Sequence, residues 1–401
     1  MTEAYIVDAV RTPVGKHGGM LSGIRADDLG AIPLKALLER SGIPGADLED
    51  IYMGCANQAG EDNRNVARMS LLLAGIPPSV GGSTVNRLCG SGLDAVAGAA
   101  RAIMAGEGQA YIGAGVENMS RAPWVMPKAE KGFATGNVTV FDSTLGWRFI
   151  NPKMKELYGT DAMGETAENL AEQYQIGREV QDRFALQSHQ KAIRARQSGA
   201  YDSQMVRVEV KDRKGNVEHL NLDEGPRADS SLEALAKLKP VFRQGGSVTA
   251  GNSSSLNDGS AAVLLTSKAY ATAHGLKPMA KVRSIAVAGV EPRIMGIGPV
   301  PASQKALSRA GLSLSDIGLI ELNEAFAAQS IAVLQGLGLD AMDERINVNG
   351  GAIAIGHPLG CSGARILTAL VHEMKGRGVG FGLATMCIGV GQGIAMIVEQ
   401  V

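Results

Sequence analysis

"SGIPGADLEDIYMG", Ser41 to Gly54, has a counterpart far down the chain in "AGLSLSDIGLIELN", Ala310 to Asn323. Gly42 falls opposite Gly311, Asp47 opposite Asp316 and Ile51 opposite Ile320. Chance likeness between two helix-to-strand passages is the plain alternative. It loses ground one segment further on. There "CGSGLDAV" (89–96) faces "GCSGARIL" (360–367), and Ser91-Gly92 lands on Ser362-Gly363. Two matches in one order, at nearly one separation, indicate a duplication.

The passages around the repeat indicate the fold class. "AYIVDAVRTPVG", "DLEDIYMGC" and "AYIGAGVENMS" read as buried strands running into loops. From Leu93, the apolar positions Val96, Ala97, Ala100, Ile103 and Met104 keep a helical period, and Gly106 ends the run. Strands alternating with helices predict an α/β fold, here of two related halves. Between them, 121–248 is richer in charge and poorer in strands. "MGETAENLAEQYQ" puts Met163, Ala167, Leu170, Ala171 and Tyr174 on one helical face, and a second amphipathic helix closes at Gly199. "SVTAGNSSSLNDGSAAVLLTS" reads as a loop, a helix start and a strand returning to the first half. The expected division is 1–120 with 249–273, an insertion at 121–248, and 274–401.

Composition narrows the function. The 401 residues are 45% hydrophobic but only 4% aromatic, with 52 glycines, so small residues do much of the packing. A net charge of -1 lacks the basic footprint of a nucleic-acid binder. Cys55, Cys89, Cys361 and Cys387 form no C-x-x-C pair, so no metal site is expected. No apolar run nears the roughly 18 residues of a membrane span, and the N-terminus lacks a signal-peptide pattern. The expected location is the reducing cytoplasm, where free thiols persist.

Four stretches carry chemistry. In "NRLCGSG", Cys89 precedes a helix start, where free N–H groups and the dipole favour thiolate; a buried structural cysteine is the equal alternative. In "NGGAIAIGHPLGCSGAR", His357 sits in a glycine-rich loop at the matching end of the second half, placed to meet Cys89 across a pseudo-twofold. In "CIGVGQG", Cys387 precedes glycines that make a poor dinucleotide fingerprint, with no βαβ unit following. They read better as exposing backbone N–H groups. In "ELNEAFAAQ", Asn323 and Glu324 close a buried strand, as a cap or as a site element.

Together these four stretches resemble the hallmark motifs of thiolases, from "VRTPVGK" (10–16) to the C-terminus. The resemblance implies two βαβαβαββ-type halves with an inserted loop domain. It implies coenzyme A (CoA) and a 3-oxoacyl-CoA as substrates, no permanently bound cofactor, and a homotetramer built as a dimer of dimers. "GCANQAGEDNRNVARM" (54–69) and "GWRFINP" (146–152) resemble the 3-oxoadipyl-CoA branch. Where acetoacetyl-forming members carry His-Met-Gly, this chain has Ala162-Met163-Gly164, a departure that counts against that activity. A decarboxylating ketoacyl synthase shares the fold but uses a second histidine where Cys387 stands. A non-catalytic CoA- or lipid-binding relative would not need all four site residues.

Cleaving a 3-oxoacyl thioester needs a nucleophile, stabilisation of two oxyanions and an acid for the departing enolate. Cys89 is assigned as nucleophile and His357 as the acceptor of its proton. By resemblance, Cys387 is the acid/base. One oxyanion hole uses His357 and a water on Asn323; the other uses the N–H groups of Cys89 and Gly389. Also by resemblance, Arg227 and Phe242 flank the adenine end of CoA, Ser254 meets pantetheine, and Met163 and Phe326 line the acyl tunnel. Cys55 and Cys361 read as packing. A distal substrate carboxylate needs a partner. Arg148 is set ahead of Arg64, because Glu61 and Asp62 adjoin Arg64 as ready ion-pair partners.

Overall fold

The computed structural model describes residues 2–211 and 215–401. Its main sheet is built from β1 (Ala4–Arg11), β2 (Asp50–Gly54), β3 (Gly81–Val85), β4 (Ala110–Asn118), β5 (Asn257–Ser267), β6 (Ala280–Gly289), β7 (Leu319–Leu322), β8 (Phe381–Ile388) and β9 (Gln392–Gln400). The strand order is β7-β8-β9-β6-β1-β5-β4-β2-β3. In the first half β3, β2 and β4 are parallel, and β5 and β1 follow antiparallel. In the second half β7 and β8 are parallel, and β9 and β6 follow antiparallel. Ile346 bridges in parallel to Ile320 of β7, the place that β3 holds beside β2. One order therefore occurs twice, and the opening repeat supplies the equivalent strands β2 and β7. The halves join where Tyr5 and Ile6 of β1 pair with Lys281 and Ala280 of β6.

Four helices position the site: α1 (Ser91–Ala105), α2 (Met163–Gln173), α3 (Arg178–Ser198) and α4 (Leu359–Arg377). Leu93, Val96 and Ile103 of α1 share one core with Ile366, Leu367 and Leu370 of α4 and with strands of both halves. Truncating one of these side chains to alanine should cost about 2–5 kcal/mol. Glycine lets α1 and α4 cross at their first turns. A Cβ on Gly92 would lie 2.6 Å from the Gly360 carbonyl oxygen, and one on Gly363 would lie 2.2 Å from Leu93 N. The duplicated Ser-Gly pairs thus meet each other at the centre of the molecule.

Residues 121–248 contain α2, α3, two shorter helices and two two-stranded ribbons. Gly199 ends α3 with φ 74°, in the left-handed conformation expected of a glycine cap. The expected helix start in "NSSSLN" is absent; the polar run is held instead as turns. Asn252 Oδ1 accepts from Thr249 N, its Nδ2 donates to Asp182, and Ser253 donates to the Thr249 carbonyl. Side-chain bonds of this kind compete with helical ones. Among the described residues no helix is long and apolar enough to cross a membrane.

Candidate active site

Cys89 lies between Leu88, whose φ is 46°, and Gly90, the N-cap of α1. Burial pushes its thiol up to about 11, outweighing the Gly389 N–H and its own N–H, which favour the thiolate. The thiolate expected at a helix start is therefore not the resting form. The helix start offers the sulfur little compensation, because the N–H groups of Gly90 and Ser91 are already taken by the carbonyls of Arg87 and Leu88. Ser91 Oγ closes the same turn, accepting from Arg87 N and donating to Leu88 O.

His357 is 5% exposed, and its backbone N–H donates to Asn257 Oδ1 at 2.8 Å. Gly356 beside it has φ 121°, and a Cβ there would lie 2.5 Å from the Asn257 amide carbon, so only glycine fits. Ser362 Oγ donates to the Pro358 carbonyl at 2.9 Å and meets His357 Nδ1 at 2.6 Å. With the serine proton given to Pro358, Nδ1 carries the ring proton and Nε2 is left as the acceptor. Burial, then the positive charge of Arg365, pulls the imidazole down to about 3. Asn323 Nδ2 is 3.4 Å from His357 Nε2, and Asn323 Oδ1 is a buried acceptor with no partner among the described residues. Asn323 is set there by its N–H, which donates to the Thr385 carbonyl of β8.

Two residues past Thr385, Cys387 is fully buried; burial first and Cys89 second raise its thiol far above the ordinary range. The β8–β9 turn brings Gly389 over the nucleophile loop, where a Cβ would lie 3.2 Å from Leu88 and 3.6 Å from the Met163 sulfur. Met163 opens α2 and packs in one apolar cluster with Phe326 and Cys387. The structure thus groups Cys89, Cys387, Gly389, Met163 and Phe326; Asn323 directly follows β7 and meets His357, which stands two residues before α4.

A cavity of about 440 Å³ opens nearby, lined by Lys16, His17, His189, Arg227, Ser253 and Leu256 among others. Arg227 N donates to His189 Nδ1, and burial lowers that imidazole to about 4. Phe242 has a different setting. It is not part of this lining but stands edge-on to Phe326, centroids 6.1 Å apart, and closes over Gly164. A glycine at 164 leaves room for its ring, which is 39% exposed and stands at the edge of the apolar cluster. Ser254 also turns away from the lining, donating to the Ala325 carbonyl while Ser253 and Ser255 face the cavity.

Arg64 is exposed with φ 62° and makes no ion pair among the described residues. Glu61 is taken by Arg25 and Arg121, and Asp62 accepts from Gly60 N, so the adjacent acids do not neutralise Arg64. Arg148 is half-buried, with one 3.4 Å bond to the Ser143 carbonyl and no ion pair among the described residues. Its neighbour Trp147 donates to the Asp161 carbonyl, two residues before Met163.

Sequence reasoning missed several groups. Ser362 was visible only as a repeat marker, although its offset of five from His357 places it one helical turn into α4. Asn257 and Glu117 gave no signal. Cys55 is more than packing: it lies beside Asp62 and Glu117, with the three donor atoms within 4.8 Å of one another. Burial pushes the Glu117 carboxyl up to about 7.

Comparison with known proteins follows the same geometry. Residues 4–269 match the model "Thiolase, N-terminal domain" and residues 276–400 match "Thiolase, C-terminal domain". The chain is 56% identical over 402 residues to a beta-ketoadipyl-CoA thiolase of Escherichia coli, covering 100% of both chains. It is 56% identical over 400 residues to a beta-ketoadipyl-CoA thiolase of Pseudomonas knackmussii, covering 100% of this chain and 99% of the relative. Among solved structures, the acetyl-CoA acetyltransferase of Bacillus anthracis superposes with a TM-score of 0.94 at 42% identity, covering 100% of this chain and 99% of that one.

Proposed function

The chain belongs to the thiolase family of acyltransferases, and we propose that it cleaves 3-oxoadipyl-CoA with CoA to succinyl-CoA and acetyl-CoA. The observation that carries the chemistry is the pairing of two thiols, Cys89 and Cys387, beneath the Gly389 N–H.

Cys89 attacks the 3-keto carbon while His357 Nε2 takes its proton. A neutral imidazole and a neutral thiol are the right starting forms, because the proton moves only as the carbon–sulfur bond forms. The new oxyanion sits on the N–H groups of Cys89 and Gly389, fixed dipoles that need no reorganisation. The bond between C2 and C3 then breaks, leaving a succinyl thioester on Cys89 and the enolate of acetyl-CoA. His357, with a water donating to the free Asn323 Oδ1, holds the enolate oxygen, and the Cys387 thiol protonates its carbon. Acetyl-CoA leaves. The Cys387 thiolate next deprotonates incoming CoA, whose sulfur attacks the succinyl thioester and expels Cys89, which recovers its proton from His357. One thioester is exchanged for another, so the second step costs little.

We read 121–248 as a loop domain over the first half (1–120 with 249–273), facing the second half (274–401). Arg227 and Phe242 suit the adenine end of CoA, with the cationic rim of the cavity for its phosphates; Ser254 suits pantetheine, and Met163 and Phe326 suit the acyl end. Arg148 is the better carboxylate partner, since it is half-buried, without an ion pair and tied through Trp147 to the entry of α2. A homotetramer, a dimer of dimers working in the cytoplasm, completes the reading. What supports the substrate is the 56% full-length likeness to beta-ketoadipyl-CoA thiolases, against 49% to an acetyl-CoA acetyltransferase of Pseudomonas aeruginosa. A broader 3-ketoacyl-CoA or acetoacetyl-CoA thiolase is the alternative.

The test follows CoA-dependent loss of the Mg²⁺–3-oxoacyl-CoA absorbance with 3-oxoadipyl-, 3-oxohexanoyl- and acetoacetyl-CoA. The first should give the highest kcat/KM. Arg148→Ala should lose on the order of 10–150-fold on 3-oxoadipyl-CoA alone, the worth of a charged hydrogen bond. Equal losses on charged and uncharged substrates would remove Arg148 from carboxylate recognition.

A further inference from the structure

Glu117 ends β4 at 1% exposure. A carboxylate so deeply buried must be held by hydrogen bonds; here three backbone N–H groups donate to it, and the Cys55 thiol is a weaker fourth donor to Oε1 at 3.9 Å. Oε2 accepts from Ala56 at 3.0 Å and from Gly360 at 2.7 Å, and Oε1 accepts from Asn57 at 3.0 Å. The donors come from opposite halves of the chain. Ala56 and Asn57 follow β2. Gly360 lies in the first turn of α4, three residues after His357, where the N-cap residue Pro358 offers no side-chain cap. Glu117 therefore caps the histidine's helix from the other half.

The network continues on the nucleophile's side. The Ala56 carbonyl accepts from Asn86 Nδ2 at 3.1 Å, and Asn86 Oδ1 accepts from Leu88 N at 2.9 Å. Leu88 is the residue held at positive φ immediately before Cys89, a conformation that needs local support in a γ-branched residue. An unbroken chain of bonds thus runs from Gly360 N through Glu117, the Ala56 peptide and the Asn86 side chain to Leu88 N.

We propose that Glu117 is a positioning residue that, with Asn86, sets the His357 loop and the Cys89 loop in register across the two halves. It touches neither reacting atom. The inference rests on the assignment of Cys89 as nucleophile and His357 as its base.

The experiment is a double-mutant cycle on the whole enzyme with Glu117→Gln and Asn86→Ala. The Gln amide keeps the size but turns an NH₂ toward backbone donors, and Asn86→Ala cuts the chain at its partly exposed end. Each should lower kcat on the order of 10–100-fold, the usual cost of a displacement near 1 Å at a reacting pair, with KM for CoA within about twofold. Coupled loops make the double variant little worse than the worse single one. Iodoacetamide alkylation of Cys89 should slow in step with kcat. Multiplicative losses, or a KM effect without a kcat effect, would overturn the relay. If Glu117→Gln does not fold, Asn86→Ala alone decides: kcat and Cys89 alkylation within twofold of wild type would refute it. Wild-type acylation of Cys89 by an acyl-CoA donor is the control; its absence would sink the assigned reaction rather than the relay.

Discussion

The loop into α1 and the loop into α4 occupy equivalent places in the two halves and end on matched serines. In the first half, Ser91 Oγ holds only backbone, the Arg87 N–H and the Leu88 carbonyl. In the second, Ser362 Oγ holds one backbone carbonyl and the His357 ring. Duplication supplied two helix starts facing each other, a place where small residues gather. Divergence then set a thiol on one and an imidazole on the other, and only the imidazole needs a side chain to choose its tautomer.

The sharpest way to break this comparison is to remove the thiol. Cys89→Ala should lose on the order of 10⁴-fold or more in kcat, as loss of a nucleophile does in acyl transfer, and no acyl adduct should form by intact-mass analysis. An adduct on Cys361 or Cys387 in the wild type would move the nucleophile elsewhere. Cys387→Ser should lose roughly 10²–10⁴-fold, the worth of a positioned acid/base, yet still acylate Cys89 from a simple acyl donor. Near-normal turnover would take Cys387 out of the mechanism.

The two serines sharpen the contrast. Ser362→Ala frees His357 Nδ1 and should cost on the order of 10–100-fold in kcat. Ser91→Ala removes two turn bonds and should cost stability, about 1–3 kcal/mol, read as a fall in Tm with kcat within a few-fold. Equal kcat losses would show that both serines serve only as turn supports. Changing pH alone is the gentlest test. With the Cys89 thiol raised to about 11 and His357 lowered to about 3, thiolate is scarce at neutral pH. Alkylation of free enzyme by iodoacetamide should climb roughly tenfold per unit from pH 7 towards 10. A plateau from pH 5 upward would indicate a thiolate–imidazolium pair instead.

Much of this was legible in the chain. The repeat at Ser41 and Ala310, the helical period from Leu93 and the charged stretch from Arg121 determined the duplicated α/β halves and their insertion, because periodicity and self-similarity are local properties of a sequence. Cys89 and His357 stood out beside glycine and proline at an element's end, while Cys387 and Asn323 drew their roles from the likeness to thiolase motifs. What the sequence could not carry was the balance between a helix start and burial at Cys89, since burial is imposed by residues remote in the chain. Nor could it place Phe242 against Phe326, free Arg64 from its neighbouring acids, or join Glu117 to Gly360 across 243 positions. Those outcomes depend on which surfaces meet when the halves close on each other, and only the tertiary structure decides that.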